Sequence, residues 1–553
     1  MTERNPASPE AVQSFKDVCF ISGSLLIVFV ASLFIFSCAS FLLRFPATVP
    51  IFYLSILATV FLWLFLALKY FNKKVLVYVF IIVSGTFMIS ALSSFFLDVS
   101  YDGQYYHQET VIQLAKGWNP FFEELAPANP AENRIFRWVK HYVRAAEIAE
   151  SCLYKATHRI ESAKTINILL IFASVYLAAC CLCTLKKMTP KRAVLLAFAA
   201  AFNPVVVCTS LSFYVDGQLG SVALCLACLF CLFYLRPTGY LSIVIISASI
   251  YFMNIKFTAV VYFIVLAMGF LIISILNKKT AIFKKSLLVF TVSFLLGVFV
   301  FGYNPYVTNT RDHGHPFFPA MGPGTVDISR NNRFQGADSM TRVERFWISM
   351  FARSTITPRR DIKMKIPLTL FKDEILAFGY PEVKTGGFGQ FFSGILLLSS
   401  ALLVLSFVRF KENRIFYVTI LFFLLSVFIN PECWLARYVP QFWLIPLLMI
   451  IFPDFGPSGV LAKRLAAVAT LLIFLNISLV GAYYLFRQTR STQKVRHELK
   501  DLSQRKMPLN VDFLHFRSNR VRLDEYGLRY TEVSETPGAF SHLYLSRTMV
   551  KNE

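Results

Sequence analysis

The chain has 553 residues, of which 56% are hydrophobic, 57 are Phe and only 16% are charged. Soluble domains carry about 25% charged residues, so a string of soluble domains is excluded for most of the length. The formal charge of +23 would suit nucleic acid, but the Lys and Arg gather between apolar runs, in two long loops and in the tail. Such placement suits lipid headgroups or phosphates, and nucleic acid is set aside as a partner.

Many apolar runs approach the ~20 residues that cross a hydrocarbon core. They predict an all-α polytopic membrane protein with about 13 transmembrane helices. The candidate spans are 19–43, 49–68, 75–96, 165–185, 193–211, 218–235, 240–253, 258–276, 286–303, 388–407, 415–429, 439–452 and 465–485. Those at 240–253 and 439–452 are short, as tilted or re-entrant segments are. The first run is too long for a cleavable leader and lacks a small-residue cleavage pattern. The chain thus divides into helices 1–3 (1–96), a first long loop (97–164), helices 4–9 (165–303), a second long loop (304–387), helices 10–13 (388–485) and a C-terminal appendage (486–553).

Short loops set the orientation. With the N-terminus inside, Lys69, Lys73, Lys74, Lys186, Lys187, Lys278, Lys279, Arg409 and Arg414 fall on the cytoplasmic side. The short outer turns keep only Arg44, Lys256 and Arg437. That asymmetry places both long loops and the tail outside. Most cysteines lie within the apolar runs as small packing residues. Cys152 and Cys433 lie outside them, and nothing in the sequence pairs the two.

The first loop begins directly after an apolar run with Asp98, Tyr101, Asp102, Gly103, Gln104, Tyr105 and His107. Carboxylates at the mouth of a spanning helix are costly unless solvated or used. Asp102 reads as a helix N-cap or as a general base held near an acceptor hydroxyl, and Asp98 is the competing carboxylate or a metal ligand beside it. Two helices lying on the membrane are expected. One spans about Tyr105 to Lys116, ending at Gly117; the other spans about Asn133 to His158, with Ile135, Trp138, Tyr142, Ala146, Ala149 and Leu153 on one face and Arg137, Lys140, Arg144 and Glu147 around the other. A soluble hairpin helix is the alternative for the second.

Between the fifth and sixth spans, Tyr214, Asp216, Gly217 and Gln218 echo Tyr101, Asp102, Gly103 and Gln104. Asp216 is either a turn residue before Gly217 or a group across a cavity from Asp102, binding sugar hydroxyls or a cation. Lys256 and Arg437 stand in polar islands at outer edges, where they either grip phosphate or snorkel to headgroups. Glu432 is expected to pair with Arg437. The second loop carries Arg311, Asp312, His313, His315, Arg330 and Arg333. The two histidines, two residues apart in a Gly/Pro loop, make a poor metal site without a third ligand and otherwise contact substrate or solvent. His107 would orient Asp102 or touch sugar. The tail alternates weakly, as a small β-containing appendage would.

An Asp-x-x-Tyr start (Asp102, Tyr105), a helix, then Gly117 and Pro120, all directly after a spanning helix, resembles the first external loop of the GT-C superfamily of membrane glycosyltransferases. The resemblance covers the first loop only. The loop here follows the third span instead of the first, and Gly103 stands where many members have a second acid. The resemblance implies a polyprenyl-phosphate-linked sugar donor, a glycan acceptor of the bacterial envelope, membrane lipid as surroundings, and inverting transfer with Asp102 as base. Lys256, Arg437, Arg330 or Arg333 would stabilise the leaving phosphate, with Tyr105, His107, Asp216, Arg311, His313 and His315 around the substrate. No cofactor is fixed by the sequence; a divalent cation (Mg or Mn) stays open. An envelope-glycan polymerase or ligase, a lipid-linked glycan transporter and a structural assembly factor are the competing readings. A transporter predicts charges deep in the spans and paired repeat halves, whereas here the charges gather at one surface.

Overall fold

The computed structural model describes residues 8–46, 49–70, 73–125, 133–186, 188–325, 327, 330–357, 361–407, 413–452, 459–504, 509–533, 540–543 and 548–551. Among these, eight helices are long and apolar enough to cross a membrane: Pro9–Leu42, Val49–Leu66, Lys74–Phe95, Ile160–Leu185, Asp216–Leu235, Phe257–Leu276, Thr280–Val300 and Val460–Ser503. Four shorter apolar helices accompany them, Gly239–Met253, Phe392–Ser406, Arg414–Phe428 and Pro440–Ile451. The protein is a mostly helical, multi-pass membrane protein.

The expected span at 193–211 is broken in two, Pro190–Ala201 and Pro204–Thr209. Pro204 has no N–H to continue a helix. Asn203 starts the second piece by accepting the Val206 N–H at 3.0 Å, as an N-cap does.

Helix Pro9–Leu42 carries no charged residue from Val18 onward and runs through the interior, buried from Val18 to Ala31 with one exception, Val28. It packs on the helix Thr165–Lys186, so closely that a Cβ on Gly23 would stand 2.7 Å from Leu177 Cγ. Small residues permit such approach where helices meet in lipid. The helices Val49–Leu66 and Lys74–Phe95 are peripheral and leave Leu57, Phe61, Phe80, Ile81 and Met88 exposed, a surface suited to acyl chains and not to water.

The first loop departs from its expected form. A π-turn, Gly103–His107, leads into the helix Gln108–Ala115. The second helix is two, Asn133–His141 and Ala145–Thr157. Its expected polar face is only partly open to solvent: Arg137 is exposed and Lys140 half-buried, whereas Arg144 and Glu147 are buried. Arg144 donates to Asn304 Oδ1 and to the Lys140 carbonyl, and the Ala145 N–H donates to the Asn254 carbonyl at 2.9 Å. Those tertiary bonds break the helix where the local sequence carries no breaker.

The last helix runs 44 residues, Val460–Ser503, about 66 Å at 1.5 Å per residue, roughly twice a hydrocarbon core. It carries the chain past the bundle to a four-stranded sheet of β1 (Leu509–Asp512), β2 (Tyr530–Glu532), β3 (Phe540–Leu543) and β4 (Thr548–Lys551), in the order β2-β1-β4-β3. β1 pairs with β2 in parallel and with β4 antiparallel. Its apolar core includes Leu97 and Val99, so the appendage and the start of the first loop share one cluster. Arg522, from the helix Asn519–Glu525, is buried and donates to Glu161 Oε1 at 2.7 Å and to the Asp98 carbonyl. Ser518 Oγ donates to the Gln104 carbonyl at 2.7 Å.

Arg522→Ala is therefore expected to loosen the appendage. Breaking a buried ion pair costs about 3–5 kcal/mol, and the low end applies because Lys164 stays on Glu161 at 2.6 Å. Limited proteolysis after residue 503 should accelerate in the variant; an unchanged cleavage pattern would show that this contact does not hold the appendage.

Candidate functional site

Two Asp-Gly turns that echo one another in sequence meet at one end of the bundle. Each glycine is required by close approach: a Cβ on Gly103 would lie 2.2 Å from Asp98 Oδ2, and one on Gly217 2.2 Å from Thr209 Oγ1. Between the two aspartates stands Arg437, on the 3₁₀ turn Ala436–Tyr438. Its Nη1 is 3.2 Å from Asp102 Oδ2 and 3.9 Å from Asp216 Oδ2. Lys256 Nζ, just ahead of the helix Phe257–Leu276, lies 2.5 Å from Asp216 Oδ1.

Aromatic rings frame the two cations. Lys256 Nζ sits 4.1 Å from the centroid of Tyr438, and the Arg437 guanidinium 5.1 Å from Tyr438 and 5.4 Å from Tyr214, within reach of cation–π attraction. Tyr214 Oη accepts the Asp102 N–H at 3.3 Å and donates to Glu382 Oε1 at 3.1 Å. Glu382 also accepts the Tyr101 N–H at 2.7 Å. Lys384, two residues on, donates to Asn332 Oδ1 at 2.6 Å.

Exposure separates the four charges. The Asp102 side chain is 26% exposed, against 3% for Asp216, 8% for Arg437 and 11% for Lys256. Asp102 makes no side-chain capping bond, so the N-cap reading gives way to an ion pair. Burial pushes its carboxyl up, but Arg437 first, then His107 and Lys384, bring it below the ordinary carboxylate value. It is ionised at neutral pH. Burial lowers Lys256 despite Asp216 beside it, and burial together with Arg437 brings Lys384 down to about 8.

The remaining predicted residues fall elsewhere. Asp98 is buried, with Oδ1 on the Ser100 N–H at 2.8 Å and Oδ2 on the Phe213 N–H at 3.0 Å, so it fastens the two Asp-Gly turns together from behind. His107 lies behind the cluster, Nδ1 2.5 Å from Glu147 Oε1. Tyr105 stacks on Tyr101 and meets Phe516 of the appendage edge-on. Arg311 pairs with exposed Asp312 at 2.6 Å. His313 stacks on Phe318, and His315 Nδ1 accepts the Phe317 N–H. The Arg330 N–H donates to Asp327. Arg333 bonds Asp338 and Glu432 at 2.7 and 2.8 Å.

Glu432 thus pairs with Arg333 and Arg345, not with Arg437 as expected from its nearness in sequence; Arg437 is taken by the aspartates. Cys152 and Cys433 are both buried free thiols. Sequence reading missed Glu382 and Lys384, for which no local signal exists. It noted Tyr214 only as part of the repeated Tyr-Asp-Gly-Gln pattern and gave no role to Tyr438, although that residue adjoins Arg437.

Arg437 stands between the Asp102 and Asp216 carboxylates, and among the described residues no group of three or more His, Cys, Asp or Glu is placed to hold a metal. Compared with known proteins, the chain matches no family model and no curated protein.

Proposed function

We propose that this chain is an inverting membrane glycosyltransferase that moves a sugar from a polyprenyl-phosphate carrier to an envelope glycan, on the external face of a bacterial inner membrane. The observation that carries the reading is the partly open, ionised Asp102 held against Arg437, with Asp216 and Lys256 behind, at the end of a lipid-facing bundle. Basic residues at the opposite helix ends, such as Arg414 at the Leu276 carbonyl, support this orientation.

In the reaction, an acceptor hydroxyl attacks the anomeric carbon and its proton passes to Asp102. The bond from that carbon to the phosphate oxygen breaks, and polyprenyl phosphate leaves as an anion. Arg437 has the fork geometry to grip that phosphate, and Lys256 adds a point charge. As the phosphate draws on Arg437, the carboxylate of Asp102 loses its counter-charge and becomes a stronger base. Asp216 holds both cations in place.

A polymerase or ligase of lipid-linked glycans would use the same phosphate chemistry, so the test must separate products. The gene is deleted and the surface polysaccharide weighed by mass spectrometry. Loss of one sugar per repeat supports the transferase. Collapse to single repeats means a polymerase, and an unchanged glycan with altered solute uptake means a transporter; either outcome removes the proposal.

A further inference from the structure

The second long loop folds over a cavity of 190 Å³. Extended segments make two of its walls: Thr355 bridges Thr385 and Ala352 bridges Met364, with the Lys384 N–H on the Thr355 carbonyl at 2.7 Å and the Arg353 N–H on the Lys363 carbonyl at 2.8 Å. Phe334 and Lys384 both line it. Among the other lining groups are Asp361, Lys363, Asp373 and Arg353. Two carboxylates and three cations, Lys384 included, therefore border one small space. Arg353 is 3.7 Å from Asp373, lies over the Phe371 ring, and among the described residues its buried Nε has no hydrogen-bond partner, a donor that costs free energy until something accepts from it.

This lining selects among occupants. A lipid tail would strand the charged groups in an apolar contact. A phosphate would find cations but also face two carboxylates. A polyhydroxylated ring satisfies both signs at once, because each hydroxyl donates to a carboxylate and accepts from an ammonium or guanidinium, while its apolar face can lie on an aromatic ring such as Phe334.

The cavity also adjoins the charged cluster. Lys384 belongs to its wall, and Glu382, two residues earlier on the same extended segment, holds the Tyr101 N–H and the Tyr214 hydroxyl that takes the Asp102 N–H. Residues two apart on an extended segment share a side and stand about 7 Å apart. The cavity wall and the neighbours of the Asp102 carboxylate are thus joined by one short segment.

We propose that this cavity binds the terminal saccharide unit of the acceptor glycan and presents its hydroxyl toward Asp102. The assignment rests on the transferase reading, since it names the acceptor subsite of the same reaction.

The test uses the full-length protein purified in detergent, lipid-linked sugars extracted from the host as donor, and envelope glycan from the deletion strain as acceptor. Asp361 and Lys363 are exposed, so Asp361→Ala and Lys363→Ala are expected to fold. Each should raise the acceptor KM about 10-fold, as losing a charge-assisted hydrogen bond does, with kcat within about twofold by the same reasoning. An unchanged acceptor KM, or a loss confined to kcat, overturns the assignment. Saturation-transfer NMR of the same glycan on wild type and variants is the second measurement. Binding to wild type that the variants weaken supports the cavity even if no donor turns over, in which case the transferase reading alone falls. Equal binding by all three proteins overturns the cavity assignment even if transfer is intact.

Discussion

Asp102→Asn is expected to abolish sugar transfer while leaving expression and melting temperature close to wild type. The amide keeps the shape and one oxygen to accept from Arg437 Nη1, now 3.2 Å from the carboxylate, but it cannot take a proton. Positioned general bases contribute about 10²–10⁴-fold, and the loss should fall in that range. Because Asp102 is the most exposed of the four charges, at 26%, the isosteric change should cost little stability. Its low ionisation point, set by Arg437 against the upward pull of burial, has a further consequence: in the free protein the acid limb of kcat/KM should lie below the ordinary aspartate value of about 3.9. Transfer at the wild-type rate by the purified Asn variant would remove Asp102 from the base role.

Arg437→Met should have the second large effect, on both stability and rate. Among the described residues Arg437 is the cation in contact with both Asp102 and Asp216. Without it the two carboxylates face one another, Asp216 retaining Lys256 at 2.5 Å and Asp102 losing its contact ion pair, with the more distant His107 and Lys384 left to offset its charge. Removing one partner of a buried pair costs about 3–5 kcal/mol, which should appear as a lower melting temperature in detergent. Transfer should fall about 10²–10³-fold, as when one preorganised donor to a developing anion is lost. Arg437→Lys separates the two roles. It keeps a charge near the aspartates but not the planar fork, so the melting temperature should largely recover while transfer stays at least about 10-fold down. A Lys variant at the wild-type rate would mean that point charge alone suffices and that bidentate phosphate recognition is not used. A Met variant that melts like wild type would mean that the pair does not hold the site together.

How far the site was readable beforehand differs from residue to residue. Asp102, Asp216, Lys256 and Arg437 were each visible as polar groups at the ends of apolar runs, since hydropathy is a property of a window of some 20 residues. Their mutual contact was not. Asp102 and Arg437 are 335 positions apart, and no periodicity reports a pairing over that distance. Glu432, five residues from Arg437, made the wrong partner look natural; the fold instead sets it against Arg333 and Arg345. The His and Arg residues of the second loop looked available for chemistry because loops carry function, yet His313 stacks on Phe318 and Arg333 holds Glu432.

The same division runs through the fold. Composition and apolar run lengths by themselves established a multi-pass helical membrane protein, because burying unpaired backbone groups in lipid leaves helices as the affordable solution for such runs. They also placed acidic and aromatic residues together at one set of helix ends. The break at Asn203–Pro204 was within reach of local rules, whereas the break before Ala145 was not, since Asn254 and Asn304 impose it from distant parts of the chain. Likewise only the folded chain decides that Asp98 is spent on backbone N–H groups and Asp102 on Arg437. Local sequence sets which groups are costly to bury; which of them find partners, and which one keeps an opening, depends on what the rest of the chain brings within hydrogen-bonding distance.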